Sequence, residues 1–150
     1  MPDSIGSVAA GCCLRLRSLW LSWFLCLLFH TDLGLMPLFH GLSPAIESQV
    51  PPQQLPLVFW AMFLYFLVPL TANLINSYAA SSHDGAPGGW RRWRWFHLGL
   101  SLVYTLTNVA HLWVDIVIPD SRADQVLLMA VMVLIGLLIN CESWRWCHCR

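Results

Sequence analysis

Four long apolar stretches alternate with short polar ones along this chain, at residues 19–39, 55–76, 95–118 and 123–141. As helices rising about 1.5 Å per residue, stretches of about 20 residues match the roughly 30 Å hydrocarbon core of a bilayer. The third stretch differs from the others because polar residues recur along its whole length. His97, Ser101, Tyr104, Asn108, His111 and Asp115 follow one another at spacings of four, three, four, three and four. That spacing keeps all six on one helical face. Ionisable groups at membrane depth are costly, so they turn toward protein or water rather than lipid. The pattern predicts a membrane protein with a polar interior.

Punctuation along the chain sets the elements. Gly34 and Pro37 interrupt the first stretch, so a kink or early end is expected there. Residues 40–54 carry three prolines and no basic residue and read as a loop. Pro69 falls inside the second stretch, where a neighbouring helix can re-satisfy the carbonyl that a proline leaves free. A small, Gly-rich and then basic linker follows. Asp120 or Ser121 is a plausible N-cap for the last helix. The expected helices cover about residues 16–39, 55–78, 93–118 and 122–142, with a linker at 79–92. The fold class is an all-α membrane protein, an antiparallel four-helix transmembrane bundle forming one domain over residues 1–150.

Composition supports this reading. The chain is 57% hydrophobic and 11% charged, well below the roughly 25% charge of soluble domains. The net charge is +0, which argues against a nucleic-acid partner. The basic residues set the orientation. Arg15 and Arg17 precede the first helix; Arg91, Arg92 and Arg94 lie between the second and third; Arg145 and Arg150 follow the fourth. Only Arg122 falls on the opposite side. The positive-inside rule then places both termini in the cytoplasm of an integral, multi-pass protein. Trp90, Arg91, Arg92, Trp93, Arg94, Trp144 and Arg145 read as membrane-interface anchors.

Six cysteines do not form a convincing disulfide framework, since those outside the helices face the reducing side. Cys147-His148-Cys149 lacks the CxxC spacing of structural zinc sites, so free thiols are expected. Ala9-Ala10-Gly11-Cys12 superficially resembles a lipoprotein cleavage box, but no basic region and apolar core precede it.

Topology turns scattered residues into a constellation. Both the first and third helices run outward. His30 lies about 21 Å along the first, Asp32 about 24 Å; His111 lies about 27 Å along the third, Asp115 about 33 Å. His30, Asp32, His40, His111 and Asp115 therefore converge near the outer surface. Imidazoles and carboxylates are the usual ligands of borderline divalent metals. His111 and Asp115 share a face at i, i+4, with Tyr104 and Asn108 below them as candidate supporting hydrogen-bond partners. His30 and Asp32 stand about 200° apart on an ideal helix, which favours His30 as the deeper ligand. His40 stands about 80° from His30 if the helix continues that far.

Other readings compete. The seam is also what structural packing between helices requires, and His–Asp pairs relay protons in membranes. His30 and His111 could ligate a b-type haem, although two nearby carboxylates suit a porphyrin poorly. His97 has no evident helical partner and reads as an interfacial residue. No phosphate loop, Ser-His-Asp order or HExxH motif is present, so a non-enzymatic role is expected. The leading expectation is an outward-facing metal or proton site between helices 1 and 3. The rival is a non-catalytic membrane subunit or assembly factor, partnered by another membrane protein or a second copy, whose polar seam is structural.

Overall fold

The computed structural model describes residues 3–42, 50–81, 90–117 and 122–149. Four long helices dominate: α1 (Asp3–Phe39), α2 (Leu55–Ser81), α3 (Arg91–Val117) and α4 (Ala123–His148), with a 3-10 turn, Pro52–Gln54, before α2. No strand occurs among the described residues. All four helices are long and apolar enough to cross a membrane.

Helices α1 and α4 exceed the expected spans for visible reasons. α1 begins at Asp3 rather than residue 16. Ala9 and Ala10 are strong helix formers, and Cys12, Cys13 and Leu16 are buried against the bundle. α4 runs on to His148 because its inward stripe continues there. Met129, Met132, Gly136, Ile139, Ser143 and Trp146 are all buried, again at alternating spacings of three and four. The N-cap position of α4 is Arg122, whose side chain makes no cap bond; Asp120 and Ser121 lie outside the described residues.

Neither Gly34 nor Pro37 breaks α1. Proline lacks an N–H, so Pro37 leaves the Leu33 carbonyl without its helical donor. Arg122 Nη1 donates to that oxygen at 3.4 Å. The one arginine that departs from the charge asymmetry therefore has a local task. α1 ends instead in a Schellman turn: Gly41 takes φ 70, Leu42 N–H donates to Pro37 O at 3.0 Å, and Gly41 N–H to Leu38 O at 3.1 Å.

Pro69 in α2 poses the same problem, leaving the Tyr65 carbonyl free. The Tyr104 hydroxyl of α3 donates to it at 2.8 Å. A neighbouring helix thus restores what the proline removed.

α4 packs closely against both α1 and α3, and α2 against α1. Between α3 and α4 the approach is tight: a Cβ at Gly136 would fall 2.8 Å from Thr105 Oγ1. α2 reaches α3 through side chains. Tyr65 OH lies 3.2 Å from Asn108 Oδ1 and 3.0 Å from Thr107 Oγ1, and Trp93 Nε1 donates to Asn76 Oδ1 at 2.8 Å. The centre is aromatic. Trp20, Trp23, Tyr65 and Tyr104 meet with ring centroids 4.8 to 6.2 Å apart.

Five of the six polar seam residues of α3 lie on its buried face, and His111 is exposed. His97, Ser101, Tyr104, Asn108 and Asp115 are all buried, whereas Leu102, Val103, Leu106 and Trp113 are exposed. α2 likewise exposes Leu57, Phe59, Trp60, Met62 and Phe63. An apolar exterior around a partly polar interior fits a hydrocarbon surrounding. It also turns most of the seam toward the bundle itself.

Candidate metal centre

The C-terminal end of the seam meets α1. His30 and His111 approach edge to face, with ring centroids 5.4 Å apart and planes at 88°. His111 Nε2 lies 3.6 Å from Asp115 Oδ1, one turn along α3. One possible ligand atom from each of His30, His111 and Asp115 lies within 4.8 Å of the other two. Donor atoms around a tetrahedral zinc with bonds of about 2.0–2.1 Å stand about 3.3 Å apart. Side-chain rotations would close the remaining distance.

The three donors differ in surroundings. The Asp115 side chain is only 10% exposed, His30 is half-buried, and His111 is 55% exposed. Two atoms of the group, His30 Nδ1 and Asp115 Oδ2, are buried with no hydrogen-bond partner among the described residues. Buried polar atoms normally find partners, and a lone one costs about 1–3 kcal/mol. Two such atoms in one cluster of ligand-type side chains are what an ion or water between them would resolve.

Asp32 and His40 stand apart from this group, and both are exposed. Asp32 points away from His30, as its angular offset requires. His40 lies past the last residue of α1, in the turn closed by Gly41, so its helical relation to His30 is lost. Tyr104 and Asn108 do not turn up toward the cluster; their oxygens bond to α2. Asn108 Nδ2 has no hydrogen-bond partner among the described residues.

The other end of the seam departs from its sequence reading. His97 is fully buried rather than interfacial. Trp20 Nε1–H donates to His97 Nε2 at 3.0 Å, and His97 Nδ1 lies 3.0 Å from Ser143 Oγ. Indole N–H is only a donor, so Nε2 must accept, and the neutral ring carries its proton on Nδ1 toward Ser143. The imidazole thereby ties α3 to both α1 and α4. Its place at the foot of the same four-three repeat as Ser101 and Tyr104 was the signal that it faces inward.

The proposed interface anchors divide. Arg91, Arg92, Trp144 and Arg145 are exposed, while Trp90 is half-buried. Trp93 is held by Asn76. Arg94 caps the end of α4, donating to Trp146 O at 3.3 Å and Cys149 O at 3.0 Å, with its guanidinium 5.4 Å from the Trp146 ring centroid. Glu142 joins Arg15 and Arg145 at 2.9 Å each. All six cysteines are free thiols, and none belongs to the ligand group.

The cluster can hold one small cation with mixed nitrogen and oxygen ligands. A porphyrin fits it less well, because its plane would have to pass between two imidazoles that already touch edge to face beside a carboxylate. Comparison with protein-family models, with curated proteins and with solved structures gives no match to this chain.

Proposed function

We propose that this chain is an integral membrane protein, with both ends in the cytoplasm, that binds a divalent transition-metal ion at its outer end. His30, His111 and Asp115 are the ligands. The convergence of these three donors from two helices carries the reading, strengthened by the two buried atoms among them that lack partners. Two imidazoles and one carboxylate suit zinc, manganese or iron(II). Asp32 and His40 have no part in the site. Lower on α3, His97, Tyr104 and Thr105 are engaged inside the bundle, so that stretch is structural and the two functions divide along one helix.

Elemental analysis of the full chain, purified in mild detergent without chelator and then exposed to zinc, tests this. About one tightly held ion per chain is expected, lost in both His30→Ala and His111→Ala while the helical content stays unchanged. Wild-type protein that holds no ion would overturn the proposal. An ion retained by both variants would place it elsewhere.

A further inference from the structure

Three protein donors do not complete the shell of a tetrahedral ion, and the surroundings of the cluster are lopsided. Among the described residues no fourth histidine, cysteine, aspartate or glutamate joins the group. Asp115 is its most buried donor, with a side chain 10% exposed, and half-buried His30 forms one wall. A third side is approached by α4. A Cβ at Gly34, one turn beyond His30 on the same face, would fall 3.1 Å from Gln125 Nε2, so the Gln125 amide already crowds α1 there. The remaining direction is that of His111, whose side chain is 55% exposed.

Charge points the same way. A divalent ion with one carboxylate and two neutral imidazoles keeps a net charge of one positive unit. Close to the hydrocarbon such a residual charge is weakly screened and attracts an anion. Structural zinc sites fill four positions from the protein, whereas three protein ligands with one side left uncovered describe an ion that takes an exchangeable ligand.

We infer that the ion at His30, His111 and Asp115 keeps one open coordination position on the His111 side, occupied by water or by a small anion. This rests on the metal reading above. The site is then one that exchanges ligands, and it acidifies any water bound there, as three-ligand zinc does. A purely architectural staple would do neither.

Cobalt(II) with azide as the probe separates the two claims. A four-coordinate cobalt ion lacks a centre of inversion and so absorbs visible light far more strongly than a six-coordinate one. The full chain in detergent micelles is loaded with one equivalent of cobalt, and azide is titrated in. The expected result is an intense visible band at one cobalt per chain that shifts saturably with azide while the cobalt stays bound through gel filtration. An intense band indifferent to azide would overturn the open position and leave the metal site standing. Absence of bound cobalt would overturn both. His111→Gln, which removes one imidazole and keeps a side chain of similar reach, is expected to lose the azide-sensitive band; an unchanged response would place the open position elsewhere and overturn the inference.

Discussion

Tyr104→Phe tests how the bundle tolerates a proline in the middle of α2. The perturbation removes one oxygen from a buried ring and nothing else. Pro69 has no N–H, so the Tyr65 carbonyl depends on the Tyr104 hydroxyl at 2.8 Å. In a hydrocarbon setting no water replaces that donor. An unsatisfied buried acceptor costs about 1–3 kcal/mol, while interhelical hydrogen bonds in membranes average about 0.6 and reach about 1.7 kcal/mol. Together these put the loss at about 1–2 kcal/mol. The decisive measurement is a double-mutant cycle with Pro69→Ala, which restores an N–H at position 69 and gives Tyr65 its own helical donor. In that background Tyr104→Phe is expected to cost less than about 0.5 kcal/mol. Unfolding in mixed micelles by increasing the denaturing detergent fraction, followed by tryptophan fluorescence, reports both values, since Trp20 and Trp23 flank Tyr104. Equal costs in the two backgrounds, within the roughly 0.3–0.5 kcal/mol expected of independent sites, would refute the reasoning.

Gly136→Ala should destabilise the bundle by about 1–3 kcal/mol through overpacking. Thr105 Oγ1 stands 2.8 Å from the new methyl and is fixed by bonds to Ser101 and Asn140. Gly99→Ala is the control: nothing lies within 4 Å of its Cβ, so the same assay should show no loss and a gain of up to about 1 kcal/mol in helix propensity. His97→Phe strands the Trp20 indole N–H and the Ser143 hydroxyl, for a loss of about 1–3 kcal/mol per stranded group; a variant as stable as the wild type would show that the imidazole is not the tie. Cysteines introduced at Gln53 and Arg91 should label with a membrane-impermeant thiol reagent from outside and from the cytoplasmic side respectively, in a background without the native thiols. The reverse pattern would invert the orientation.

The helices were legible because a run of about 20 apolar residues has few alternatives in a chain with so little charge. The α3 seam was legible as a face, and the structure adds that this face is buried except at His111. What the sequence could not supply was mostly rotational and terminal detail. Whether His40 joins His30 depends on the residue at which α1 stops, and that is decided by the left-handed backbone of Gly41. Tyr104 and Asn108 looked like support for His111 and Asp115 because they share a face, but α2 approaches closely enough to take their hydrogen bonds. Arg122 looked like the exception to a charge rule. Its use appears only once α4 begins beside Leu33, where Pro37 has left a carbonyl free. His97 was missed because its partners, Trp20 and Ser143, are distant in sequence and neither is an obvious histidine ligand.

The central claim is that two histidines and an aspartate, from α1 and α3, hold one ion. X-ray absorption at the zinc edge on the zinc-loaded full chain reads the ligands directly. The prediction is a first shell of nitrogen and oxygen at about 2.0–2.1 Å, with the outer-shell scattering of two imidazoles and no sulfur. A sulfur shell at about 2.3 Å would contradict it, bringing in a thiol from outside the group of His30, His111 and Asp115.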